Sequence, residues 1–273
     1  MRYFLQYLLA LATQLSCQLP ADQDATPLHQ ARTVSEIGLP SGLHRNMLDT
    51  GSFGQWLRNH KLKKDKIVRL FDGRIRSRQE SVYAVLDMKT GTRDLQQCAD
   101  AIIRLRAEYL FEKGEWAAIS FLSTSGQQMR FADWCEGKRF RVKGQRLEAW
   151  QAMPHSPPSL KQLDQWLEFV FTYAGTWSLQ QQLRPRQAGS RLQPGDVIVE
   201  GGFPGHAMLV IDVAENAEGK EFFMLAQSYM PAQDMHIVVN SNVAGNSPWY
   251  ERESGSLATP DWVFNSTRFF TWP

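Results

Sequence analysis

Residues 94–110 read DLQQCADAIIRLRAEYL. Strong helix formers dominate, and Cys98, Ile102, Leu105 and Tyr109 recur at steps of four, three and four, so they share one helix face. Asp94 followed by Gln97 has the pattern of a capping box, which sets the helix start at Asp94 and places Cys98 in the first turn. There the unpaired N–H groups and the positive end of the helix dipole favour a thiolate and lower the thiol pKa. The same position equally suits a small apolar side chain facing a core, the common fate of a free cysteine.

Working outward, SFGQWLRNHKL from Ser52 reads as a short helix, and KIVRLFDG (66–73), SVYAVLDM (81–88) and WAAISFL (116–122) read as strands. After a proline-rich break beyond Met153, SLKQLDQWLEFVFTYAG (159–175) carries Leu160, Leu163, Trp166, Leu167, Val170 and Phe171 on one stripe. TWSLQQQL follows as a second, shorter helix. From Pro194 the pattern turns to strands: DVIVE, HAMLVIDV, EFFMLAQSY and MHIVVN, the middle two joined by AENAEGK as a hairpin. The order of elements predicts an α+β fold in one domain, with the Cys98 helix packed on an antiparallel sheet.

His206 opens the HAMLVIDV strand directly behind Gly205. Presented at a strand mouth, it is placed as a general base. His29, His44, His60 and His155 sit in polar or proline-flanked loops, and His236, inside a strand, is the rival. A catalytic imidazole needs a partner on its other nitrogen. If the strand runs to Val213 and returns at Glu221, antiparallel register sets His206 opposite Gln227 or Ser228, and the Gln227 amide oxygen can accept from the ring. Asp212 is chemically the better orienter, but six residues along a strand is roughly 20 Å. The oxyanion of a tetrahedral intermediate would meet the Cys98 backbone N–H, with Gln96 or Gln97 beside it, and Gly205 and Ser228 complete the lining.

The 273 residues include 43% hydrophobic and 21% charged side chains, a globular composition. The net charge of +2 gives no basis for nucleic-acid binding, and the basic run HKLKKDK from His60 reads as a solvated edge. No His, Cys or carboxylate pairs show metal-ligand spacing, and no cofactor is expected. MRYFLQYLLALATQLSC has the layout of a secretory signal, with Arg2 ahead of an apolar stretch. Cleavage after Ala12 and lipidation at Cys17 are both open, so the expectation is an exported, periplasmic or envelope protein with a possible lipid tether. The expected divisions are a signal at 1–17, a polar linker at 18–44 and a domain at 45–273. In an oxidising compartment a Cys98–Cys135 disulfide is the structural alternative to a nucleophile.

The helix-start cysteine in QC, the PGDVIV…GHAMLVID segment and a following polar residue resemble the papain-like superfamily, in particular its NlpC-like and CHAP (cysteine- and histidine-dependent amidohydrolase/peptidase) branches. The resemblance implies a cysteine amidase or peptidase with Cys98, His206 and Gln227 as its triad and a peptide or peptidoglycan-like substrate. It departs from those branches in two ways. Gln227 stands where His, Glu, Asp or Asn is usual, and the long Cys98–His206 span implies a helical insertion from Ser159. QCADA, PGHA, AQSYMPAQ and PWY also resemble an uncharacterised bacterial family of exported proteins or lipoproteins, from about Arg45 onward, which implies no activity. A monomer is expected. The alternative to an enzyme is a binding module that uses the same scaffold as a peptide or glycan groove.

Overall fold

The computed structural model describes residues 31–187 and 189–273. The expected signal segment, Cys17 and the linker up to residue 30 lie outside the described residues. In chain order the elements are β1 (His44–Arg45), α1 (Phe53–Arg58), β2 (Val82–Val85), α2 (Cys98–Glu112), β3 (Ser120–Leu122), β4 (Gln128–Arg130), α3 (Phe131–Cys135), β5 (Lys138–Lys143) and β6 (Arg146–Ala152). They continue with α4 (Leu160–Tyr173), α5 (Thr176–Gln182), β7 (Arg184–Pro185), β8 (Val197–Glu200), β9 (His206–Glu215), β10 (Glu221–Gln227) and β11 (His236–Val238). The last four are β12 (Trp249–Glu251), β13 (Leu257–Ala258), β14 (Val263–Phe264) and β15 (Phe269–Thr271).

The frame is α+β. A nine-stranded sheet runs in the order β2-β11-β10-β9-β8-β15-β7, with β1 also on β9 and β12 also on β10. Its pairings are antiparallel. Alternation along β9 divides its side chains between two cores. Ala207, Leu209 and Ile211 join the cluster that holds α2 and α4, whereas Met208, Val210 and Val213 join one closed by Tyr250, Leu257, Phe264 and Phe269 from the C-terminal segment. The sheet is therefore covered on both faces, and its central strands are continuous apolar runs.

Helix α2 is more deeply placed than a one-face stripe predicts. Ala101, Ile102, Ile103, Arg104, Leu105 and Ala107 are all buried, because α2 lies between the sheet and other helices. Tyr109 meets Phe53 of α1 with ring centroids 5.0 Å apart, and Arg104 reaches Asp164 of α4 at 2.8 Å. Burying a Leu or Ile of this helix contributes roughly 1.5–3 kcal/mol each. Ser159 caps α4 by accepting from the Gln162 N–H at 3.2 Å, and Leu163, Trp166, Leu167, Val170 and Phe171 form its buried face.

Three expectations are corrected. The stretch 66–73 makes only isolated bridges, Arg69 with Ile75 and Leu70 with Gln233, and no strand. The segment between Cys98 and His206 holds two extra hairpins, β3–β4 and β5–β6, besides the helical pair. Val34–Glu36, inside the stretch expected as linker, form a 3-10 turn, and Val34 and the following Ile37 are buried in the core.

Candidate active site

Helix α2 starts three residues later than expected. Gln97 is its N-cap, and its backbone N–H donates to the Asp100 carboxylate at 3.1 Å. Cys98 is therefore the first helical residue. Asp94 acts elsewhere. Its carboxylate accepts from the Ala232 N–H at 2.7 Å and from the Gln97 side chain at 3.1 Å, tying the helix start to the loop after β10. Ser228 strengthens the same tie, donating to Gln233 O at 2.8 Å and Gln96 O at 3.3 Å. Gln96 is 1% exposed and both ends of its amide are engaged, by Arg104 and by the Lys89 carbonyl at 2.7 Å. The oxygen and one of the two N–H groups of the Gln96 amide are thus already committed.

Cys98 is 6% exposed, and its sulfur lies against the N–H groups of Ala99, Ala207 and Cys98 itself. Those donors favour the anion, as the helix start predicts. Burial outweighs them and, with Asp100 nearby, pushes the thiol up to about 12. The low-pKa thiolate expected from the helix position is overturned: burial keeps Cys98 a neutral thiol near pH 7. Burial also holds the Asp100 carboxyl up to about 8. Cys98 and Cys135 are both free, so the disulfide alternative is absent from this structure. The Cys135 thiol is raised by burial, not by the neighbouring Asp133 and Glu136 that the sequence pointed to.

His206 is placed by tight backbone packing. A side chain at Gly205 would lie 2.5 Å from Thr176 Oγ1 and 2.7 Å from the Glu200 carbonyl, so only glycine fits where β9 begins. His206 then pairs with Glu200 across β8, and its ring sits among Tyr229, Trp262 and Phe264, with centroids 5.1, 5.5 and 5.9 Å away. Its Nε2 meets Gln227 Oε1 at 2.7 Å. Gln227 Nε2 donates to Asp261 Oδ2 at 2.6 Å, and Asp261 is held by Arg76 at 2.7 Å and Arg78 at 3.2 Å.

This chain sets the tautomer. A carboxylate accepts only, so the amide nitrogen of Gln227 must face Asp261 and its oxygen must face the ring. Nε2 of His206 therefore carries the proton, and Nδ1 keeps a free lone pair, the arrangement of a base. Burial holds the imidazole down at about 4, against the upward pull of Gln227 and Asp261, so it is neutral near pH 7.

The rival His236 stands behind Gln227. Its Nδ1 meets the Asp234 carbonyl at 3.0 Å and its Nε2 lies 3.5 Å from the Gln227 amide nitrogen. It supports Gln227 and is fully buried. Asp212 is at the far end of β9, clamped by Arg45 at 2.6 Å and Arg58 at 2.5 Å, in keeping with the distance that removed it as an orienter. Asp261 and Arg76 are not among the site residues expected from the sequence. Asp261 follows Gln227 by 34 positions, in the loop between β13 and β14, and no periodicity marks it.

Tyr229 links the parts of the site. Its ring packs edge-on against His206, it lies near Cys98, and it lines a cavity of about 290 Å³ with Arg76, Arg78 and Asp261. A second cavity, about 400 Å³, lies between Ser123, Leu147 and Tyr173 and includes none of these residues. Among the described residues no group of three His, Cys, Asp or Glu side chains is placed to hold a metal ion, and no helix is long and apolar enough to cross a membrane. No curated protein and no solved structure matches the chain. The chain belongs to the DUF4846 family, described as a domain of unknown function, which matches residues 34–270.

Proposed function

We propose that the protein is a thiol-dependent amide hydrolase of papain-like type, with Cys98 as nucleophile and His206 as base and acid. The observation that carries this reading is the His206–Gln227–Asp261 chain, which leaves His206 Nδ1 unprotonated in the residue preceding Ala207, whose N–H meets the Cys98 sulfur. A buried histidine serving only to pack needs no tautomer set by a carboxylate two bonds away. Both partners are neutral near pH 7, so activation runs by general base and not by a preformed ion pair. As Sγ bonds to the substrate carbonyl carbon, its proton passes to His206 Nδ1. The amine then leaves with that proton, and water, deprotonated by His206, releases the acid from the thioester. Backbone N–H groups at the start of α2 are the donors for the oxyanion.

We propose a peptide or peptidoglycan-like amide as substrate and an exported, envelope-located monomer, with the membrane tether at Cys17 as one route of retention. The test is release of new amino groups from cell-wall peptides by purified protein. Activity that persists in both Cys98→Ala and His206→Ala would end the proposal. The binding-module alternative is favoured by one observation: His206 is 1% and Cys98 6% exposed, while the neighbouring cavity is open. Saturable peptide binding with no amine release would select it.

A further inference from the structure

The cavity beside Tyr229 has features of a built site. Gln233 in its wall is 2% exposed, and its amide Nε2 has no hydrogen-bond partner among the described residues. A buried donor left unpaired costs about 1–3 kcal/mol, which a ligand oxygen in the cavity would recover. Arg78 stands at the same cavity with its side chain 54% exposed. Its contacts, Asp261 Oδ1 at 3.2 Å and Glu80 at 3.7 Å, leave guanidinium donors facing solvent. Arg76 and Arg78 against Asp261 leave one net positive charge in the lining. Leu70, Met230 and Pro231 are the aliphatic part of the wall, and Ser77 also lines it.

We propose that this cavity binds a carboxylate on a short aliphatic stem, such as an acidic side chain or free carboxyl of the substrate peptide. Gln233 and Arg78 hold the carboxylate, and Leu70 and Pro231 take the stem. This deepens the hydrolase reading and rests on it for the word substrate, while the binding itself does not require Cys98 to react. One net charge and a planar amide donor suit a monoanion better than a phosphate dianion.

The test is calorimetric titration of the full chain carrying Cys98→Ala, so that no turnover intervenes. The probes are N-acetylglutamate α-amide, its neutral counterpart N-acetylglutamine α-amide, and inorganic phosphate. The expected result is saturable binding of the acid, weaker by about tenfold or more for the neutral amide and for the acid with Arg78→Gln, the effect of losing one charge-assisted hydrogen bond. Gln233→Leu should also weaken the acid, with thermal unfolding confirming that each variant is folded. Equal binding of acid and amide, no binding of the acid, indifference to Arg78→Gln, or preference for phosphate would each overturn the proposal. If the acid binds as expected while the wild-type protein releases no amine from any peptide, the hydrolase reading fails and the site stands. If amine release occurs without any preference for acidic peptides, the site fails and the hydrolase reading stands.

Discussion

Substituting Asp261→Asn removes the charge at the end of the histidine chain. Asp261 is 6% exposed at its side chain and Arg76 is 7%, so this ion pair lies out of solvent. Breaking a buried pair leaves an uncompensated charge and costs roughly 3–5 kcal/mol. Arg78 is half-exposed and adds little, ~0.5 kcal/mol at most. Asparagine keeps one acceptor, so the lower end applies, about 3 kcal/mol, or a fall of about 6–12 °C in Tm for a chain of this size. In the native chain Oδ2 alone accepts from both Arg76 and Gln227, so an asparagine that turns its nitrogen to that position leaves both without an acceptor. Where Gln227 loses its acceptor its amide can turn, and the Nδ1–H form of His206 becomes populated. Thermal unfolding measures the first effect, and nitrogen-15 NMR of the His206 ring measures the second. Adding Arg76→Met to Asp261→Asn removes the stranded charge and should recover about 1 kcal/mol or more. A loss below about 1 kcal/mol together with an unchanged Nε2–H form would refute the buried-chain reasoning.

Other expectations follow from the same geometry. His206, His236 and His60 are all held down at about 4 by burial, so the unfolded chain takes up their protons first. Their contribution is fully present above about 6.5 and is lost as pH falls toward 4, which denaturant midpoints across that range will show as a steep acid loss. Asp100 has the opposite sign: held up to about 8, it favours folding below about 3.8 and loses that contribution as pH rises through 8. Asp100→Asn should flatten the alkaline side of the same stability profile. Gly205→Ala forces a Cβ against Thr176 and the Glu200 carbonyl and should cost about 1–3 kcal/mol while displacing His206, read as a lower Tm with a broadened His206 ring signal.

Much of the frame was legible in the sequence where one pattern had one cause. The stripes of α2 and α4 and the β9–β10 hairpin are long enough for periodicity to act, and the His206 and Gln227 side chains meet at 2.7 Å, although a bulge shifts the register to Ala226 opposite Leu209 and neither Gln227 nor Ser228 stands directly opposite His206 as expected. The β5–β6 hairpin was not legible, because it packs little against the core. Its strands are mostly exposed and are joined by cross-strand pairs such as Arg141–Glu148 at 2.9 Å, and their apolar alternation is limited to Phe140 and Val142 on one strand and Leu147 and Ala149 on the other. KIVRLFDG has strand-like composition, but Val68 alone of its apolar residues is fully buried, and its backbone N–H and C=O bond to the Gln79 side chain and not to a neighbouring strand. The charge state of Cys98 was misread because a helix start is visible in sequence, whereas the burial that opposes it is a product of the whole fold. Asp261 and Arg76 reach the site through tertiary contact alone, from 34 residues after Gln227 and from upstream of β2.

The central claim is that His206 draws the proton from a neutral Cys98 thiol. The most direct measurement is the rate of Cys98 alkylation by chloroacetamide against pH, followed by peptide mass spectrometry, in wild type and in His206→Ala. The wild-type rate should rise through about 4, where His206 becomes able to accept a proton, and then hold a plateau. In His206→Ala that plateau should vanish and reaction should begin only at strongly alkaline pH, as the thiol near 12 requires. Identical profiles in the two proteins, or a single rise near ~8.5 as for a free thiol, would contradict it.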